Sequence, residues 1–226
     1  MVDHRWWLRW AVAVLAAACA LPAAGAELRG RLDLYADGQP LRANEAAEAI
    51  IYFRPREPSA VEPLAAETVM TTRRKQFLPR VIAVTAGSTV RFPNEDPILH
   101  NVFSTSPDNG FDAGLYGRGE GVVHRFDNPG LVKVYCNVHH SMFGFILVLD
   151  TPHFTRPDAA GEFVLAGLPA GGGDLVVFHD RARPMRQRLD TLPADALELR
   201  LDLDKRRVPP HMNKFGRPYG AGNDGY

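Results

Sequence analysis

The sequence predicts an all-β protein, and three observations carry that expectation. First, apolar and polar side chains alternate through "LVKVYC" (131–136) and "LELRLDLD" (197–204), the pattern of half-buried strands. Second, four short apolar runs, "AIIYF" (49–53), "RVIAV" (80–84), "FILVL" (145–149) and "DLVVF" (174–178), are bounded by Gly, Pro or Asp. Third, only "ANEAAEA" (43–49) offers a helical stretch, and it is short. Strands recurring at this spacing, with turn residues between them, fit sandwiches or barrels.

The chain opens with a leader. Arg5 and Arg9 precede an apolar run from Ala11 to Leu21, which ends in the small residues Ala24-Gly25-Ala26. That order predicts a secretory signal peptide over 1–26, cut before Glu27, and hence a periplasmic protein. The run is too short to span a bilayer comfortably. Attachment to a membrane would require lipidation at Cys19, where Ala16 stands in the place a lipobox usually gives to Leu. The leader takes with it Trp6, Trp7, Trp10 and Cys19, so Cys136 is the single thiol expected in the exported chain. It has no internal disulfide partner. An odd exported cysteine pairs between molecules, reacts, or ligates a metal.

Charge excludes some partners. The 26 Lys+Arg and 26 Asp+Glu balance, and the leader removes only Arg5, Arg9 and Asp3. No basic patch points to nucleic acid and no acidic block to a polyelectrolyte tail. Composition marks the boundaries. "RPREPSAVEPLAAE" (54–67), rich in proline, reads as a linker or crossover, and "DTPHFTRPDAAG" (150–161) is a second punctuated stretch. The expected organisation is therefore 27–56, 57–151 and 152–205, followed by a flexible tail over 206–226 that lacks apolar periodicity.

The chemistry concentrates in "YCNVHHSMFG" (135–144). Cys136 ends an alternating strand, and His139 and Met142 lie on the loop that follows. A loop that holds thiolate, imidazole and thioether within seven residues can close them on one ion. A second imidazole would complete a His₂Cys trigonal site with a weak axial Met, the set of an electron-transfer copper. His100 in "FPNEDPILHNVFS" follows the strand "STVRF" (88–92) and is the best candidate. Soft sulfur donors favour copper (Cu⁺/Cu²⁺), one per chain, over magnesium, calcium or manganese. Met is a poor zinc ligand and no second Cys pair exists, which disfavours structural zinc. A binuclear thiolate-bridged copper centre lacks its second cysteine. His124, His153 and His179 sit in strand or turn contexts and read as surface or hydrogen-bonded residues.

"LHNVFS" followed by "YCNVHHSM" resembles the cupredoxins, the small blue copper proteins, and especially plastocyanin and amicyanin. The likeness covers roughly 66–150 and includes "VIAVTAGSTVRFPNED". It implies a Greek-key β-sandwich, with His100, Cys136 and His139 as equatorial ligands and Met142 as the axial one. It also implies that the backbone N–H of Asn101 donates to the cysteine sulfur. His140 stands where relatives often have proline and is the alternative ligand. A different signature lies at 155–180: Asp158, Gly161, Phe163, the Leu168-Pro169 turn and the following glycines resemble carboxypeptidase-regulatory-like, transthyretin-like (Ig-like) sandwiches. The opening of such a module, with its "DGQPL" turn, occurs instead at 28–55. The copper domain is thus expected to be inserted into a loop of that second sandwich.

The resemblance as a whole points to a methylamine-utilisation-type, mononuclear copper protein that carries single electrons. It implies transient redox-protein partners and no small-molecule substrate. Multicopper oxidases and copper nitrite reductases need further histidine clusters that this sequence lacks, so no enzyme is expected. The imidazole edge of His139 would be the exit, with Phe143 in a small apolar contact patch. Two other readings use the same residues: copper storage or delivery, and an adhesion or scaffold module stapled by its metal.

Overall fold

The structure, a computed structural model, describes residues 25–205 and 208–219. The leader up to residue 24, including Cys19, lies outside the described residues, as do 206–207 and 220–226. Among the described residues the chain is all-β. Where the sequence offered a helix there is a 3₁₀ turn, Ala43–Glu48, because six residues form too few hydrogen bonds to offset the cost of nucleating an α-helix.

β1 (Ala26–Ala36) turns at Asp37-Gly38, both at positive φ (49° and 76°), into the short β2 (Gln39–Pro40), and β3 (Ile50–Pro55) follows. Asp-Gly is the pair that a two-residue hairpin favours. Ten strands come next: β4 (Thr68–Val69), β5 (Thr71–Arg73), β6 (Gln76–Leu78), β7 (Val81–Thr85), β8 (Ser88–Asn94), β9 (His100–Ser104), β10 (Phe111–Tyr116), β11 (Gly119–Phe126), β12 (Gly130–Tyr135) and β13 (Phe143–Leu149). β14 (Phe154–Thr155), β15 (Glu162–Leu168), β16 (Gly173–Phe178), β17 (Met185–Leu189) and β18 (Leu197–Asp202) close the chain.

Four sheets result. One has the order β15-β1-β18, with β2 on β1, and a second has β14-β3-β16-β17. β1 pairs in parallel with β18, so strands from both ends of the chain are neighbours. Between these two sheets lies a core that includes Leu28, Leu32, Phe53, Phe163, Leu175 and Leu199, with no buried member between residues 54 and 162. The other two sheets, β10-β9-β12-β13-β7 and β11-β8-β5-β6 with β4 on β8, enclose a second core that runs from Met70 to Val148.

The four continuous apolar runs of the sequence have a single cause. β3, β7, β13 and β16 bury both faces. Ile51 and Phe53 of β3 and Leu175 and Val177 of β16 fill the first core, while Ile82, Val84, Ile146 and Val148 of β7 and β13 fill the second. The alternate residues, including Ile50, Tyr52, Val81, Phe145, Leu147, Val176 and Phe178, meet in a third cluster between the two halves. A strand buried on both sides has no polar face to alternate with. Arg80 spans the same junction: its Nε lies 3.7 Å from the buried Asp180, and its Nη1 donates to the carbonyl of Phe143 at 3.3 Å.

Candidate metal centre

Strand pairing brings the predicted ligands together. β9 and β12 are antiparallel neighbours with Tyr135 opposite Phe103, which sets His100, at the start of β9, beside the end of β12. Cys136 follows β12 directly, and the chain returns into β13 with Phe143 opposite Tyr135. The loop between is short and closed by its own backbone: Met142 N–H donates to His139 O at 2.9 Å and Cys136 N–H to Met142 O at 3.4 Å. Gly144 stands just beyond. A β-carbon there would lie 3.1 Å from Arg80 O and 3.2 Å from Val134 Cγ2, so the close approach that shapes the strand's start favours glycine.

Cys136 Sγ lies 3.8 Å from His100 Nδ1 and 3.9 Å from His139 Nδ1. The three donor atoms all fall within 4.8 Å of one another. For a first-row ion with a metal–sulfur bond of about 2.3 Å and metal–nitrogen bonds of about 2.0 Å, trigonal angles require an S···N separation of about 3.7 Å. The two sulfur–nitrogen separations are close to that value. His100 and Cys136 are both 0 % exposed, so an ion held there would sit away from bulk water. Met142 is buried in the same core as Cys136. His140 is outside the cluster, its ring stacked on Tyr219 with centroids 4.7 Å apart.

One participant escaped the sequence reading. Asp96 Oδ2 lies 2.9 Å from His100 Nε2, and the same carboxylate accepts the backbone N–H groups of Arg74 (2.6 Å) and Lys75 (2.9 Å). An ionised carboxylate only accepts, so the imidazole proton is on Nε2 and the Nδ1 lone pair faces the sulfur. Burial raises the pKa of Asp96, but the Lys75, Arg74 and His100 hydrogen bonds outweigh it and the net shift is downward. Burial lowers the pKa of His100 and Asp96 only partly opposes it, so the ring is held neutral, as a ligand must be. The available signal was a carboxylate four residues before the histidine in "NEDPILH".

Asn101, whose expected role was a backbone bond to the sulfur, is anchored through its side chain. Its Nδ2 donates to Asp112 Oδ1 (2.7 Å) and Gly114 O (2.9 Å), and its Oδ1 accepts the N–H of Asn137 (3.2 Å). The tail completes the ring. Lys214 N–H donates to Asn137 Oδ1 at 3.1 Å and Lys214 Nζ to Asp112 Oδ2 at 2.7 Å. His211 stacks on Tyr135 at 3.9 Å, and Tyr219, its phenol pushed up to about 12 chiefly by burial, stacks on His140. From Val208 to Tyr219 the tail, expected to be flexible, packs on the ligand loop, because aromatic stacking and side-chain hydrogen bonds hold it where no apolar periodicity does.

Phe143 corrects a second expectation. It is 4 % exposed, lies under the Arg80 guanidinium (4.7 Å to the ring centroid) and packs edge-on against Phe145, so it forms no outward patch. Among the other histidines, His179 is buried and His124 stacks on Phe111 at 4.1 Å. Glu48, His179 and Asp180 make a second polar cluster, but Arg80 already brings a cation to it.

The described residues thus define an all-β protein with a possible His–Cys–His metal site, in which His100 and Cys136 are buried and His139 is half-buried. No protein-family model matches the chain, and no curated protein matches it. Solved structures do. Part of the chain is similar to a copper-containing nitrite reductase from Thermus scotoductus SA-01, at 28 % identity over 41 % of this chain and 25 % of that one, with a TM-score of 0.36. It is also similar to a purple cupredoxin from Nitrosopumilus maritimus (21 % identity, 36 % of this chain and 99 % of that one, TM-score 0.34). A third likeness is to amicyanin from Paracoccus versutus (20 % identity, 41 % and 96 %, TM-score 0.35).

Proposed function

We propose that this chain is an exported, periplasmic protein that binds one copper ion through His100, Cys136 and His139, with Met142 as a weak fourth donor, and carries single electrons between redox proteins without turning over a substrate. The observation that carries this reading is the convergence of the buried Cys136 Sγ with two imidazole Nδ1 atoms at 3.8 and 3.9 Å. A bound copper ion would supply one-electron Cu(II)/Cu(I) chemistry at a thiolate-rich site. The chain's own part is to hold the donors still. Asp96 fixes the His100 tautomer, the β12–β13 ladder fixes Cys136 and Met142, and the 136–142 loop is too short to open freely. In this reading a copper-binding sandwich is set into a loop of a transthyretin-like one.

Visible and EPR spectra of the copper-loaded protein test it. An intense sulfur-to-copper charge-transfer band is expected, lost in His100→Ala and retained with a changed reduction potential in Met142→Leu. Colourless, readily exchanged Cu(I) would overturn electron carriage in favour of storage or delivery.

A further inference from the structure

We infer that Arg80 and Asp180 are positioning residues for the metal loop, and that the half of the protein built from both ends of the chain thereby sets where Met142 stands relative to Cys136. This rests on the copper reading above. Of the loop's supports, the C-terminal strap, residues 208–219, bears on Asn137 and His140. The other limb, where β13 begins, is held from across the junction between the two halves. Phe143 follows Met142 and pairs with Tyr135, which precedes Cys136. Whatever fixes Phe143 therefore fixes the backbone that carries both sulfur residues.

Two routes reach Phe143 from one short segment, 178–180. One is aromatic: Phe178 meets Phe145 edge-on with centroids 5.8 Å apart, and Phe145 meets Phe143 the same way at 5.9 Å. The other is polar. The Asp180 side chain is fully buried and its Oδ2 lies 3.7 Å from Arg80 Nε. Arg80 Nη1 donates to Phe143 O at 3.3 Å, and the guanidinium stands 4.7 Å over the Phe143 ring. A guanidinium is a rigid plane, so anchoring it at Nε sets where Nη1 and its charged face lie. The carbonyl of Arg80 also accepts the N–H of Phe145 at 2.8 Å, so side chain and backbone hold the same strand start. Stability does not account for such a pair. Burying two charges costs about what their attraction returns, and apolar side chains of similar volume serve as well or better. What the pair supplies is a fixed direction for one hydrogen bond and one ring, both beside the metal loop.

The test compares three variants of the full chain, each metal-free and copper-loaded. Arg80→Lys keeps a cation for Asp180 but has no second nitrogen for the Phe143 carbonyl. Arg80→Met combined with Asp180→Ala removes both members of the pair together. Arg54→Ala is the control: it breaks an exposed ion pair across the same junction, to Asp150 at 2.8 Å, that does not involve Phe143. In metal-free protein the NMR signal of the Met142 methyl group should move in both Arg80 variants and stay in the control. In copper-loaded protein the ratio of Cu(II) to Cu(I) affinity should change about 2- to 30-fold, the range for substitutions along contiguous coupling networks. At about 59 mV per tenfold for one electron, that is a shift of about 20–90 mV in reduction potential. An unmoved Met142 signal or an unmoved potential in a folded Arg80 variant, or equal movement in Arg54→Ala, overturns the positioning role. A wild type with no sulfur-to-copper charge-transfer band overturns the copper reading, while the metal-free methyl signal still decides the positioning.

Discussion

Replacing Asp96 by Asn tests whether the carboxylate sets the chemistry of His100. The carboxylate accepts three hydrogen bonds, from His100 Nε2 and from the N–H groups of Arg74 and Lys75. An amide has one oxygen, so in Asn its NH₂ must face either a backbone N–H or the imidazole. If it faces the imidazole, the ring is driven to the tautomer that protonates Nδ1, the atom pointing at Cys136. A buried hydrogen bond to a charged acceptor is worth about 1.5–3 kcal/mol. Loss of a carboxylate that orients a ligating histidine typically weakens metal binding about 10- to 100-fold, or about 1.4–2.8 kcal/mol. The two estimates agree. Competition against a chelator of known affinity, at neutral pH, should therefore give an Asp96→Asn copper affinity lower by that factor, with a smaller change in unfolding free energy. Because Asp96 raises the His100 pKa that burial lowers, the variant should lose affinity no faster than wild type on mild acidification. An affinity within twofold of wild type would show that the tautomer is set by something else.

Burial lowers the pKa of His100 in the fold, and those of His124, His153 and His211 as well. The unfolded chain takes up these protons near pH 6.5 and the folded chain resists them, so metal-free protein should lose stability as pH falls from about 6.5 towards the folded values, by about 1.4 kcal/mol per pH unit for the fully buried His100 alone. Denaturant midpoints measured between about pH 7.5 and about pH 5.5 check this; a flat profile would refute it. Asp180→Ala removes a buried carboxylate beside Arg80 and should destabilise the fold by about 3–5 kcal/mol, with much of the loss recovered when Arg80 is also replaced by Met. Cleavage within 57–66 should leave the N-terminal piece bound without denaturant, since β1 lies between β15 and β18; separation of the pieces would contradict a shared sheet.

How much of this could be read from the chain depends on how local each feature is. The 136–142 loop was legible because its donors are three residues apart and the alternation of "LVKVYC" locates the strand end. His100 was legible as a histidine after a strand, although only the β9–β12 pairing places it next to Cys136. Asp96 was not. In "NEDP" a carboxylate before proline reads as turn chemistry, and two of its three donors, the N–H groups of Arg74 and Lys75, come from a turn more than twenty residues away. The strap was illegible for a different reason: His211, Lys214 and Tyr219 bind by stacking and polar contacts, which leave no hydrophobic period. Phe143 was misread because an apolar residue beside the ligand loop was expected in an outward contact patch, whereas β13 buries one face in each of two clusters.

The same contacts separate the two copper readings. A carrier gains from donors that stay put as the ion changes charge, while a delivery protein needs a loop that opens. Here the loop is held by different parts of the chain. The β12–β13 ladder grips it at its base, and Asp96 orients the His100 opposite. Arg80 reaches across from Asp180 to the carbonyl of Phe143, one residue beyond Met142. Lys214 ties Asn137 and, through Asp112, Asn101, the residues that follow Cys136 and His100. To release an ion through the strap, the ring through Lys214 and the two aromatic stacks must part together. Each contact is worth about 1 kcal/mol, but their simultaneous loss makes opening rare. That cost favours a retained ion over an exchanged one, and a Lys214→Met variant that strips its copper no faster than wild type would remove this ground for preferring the carrier.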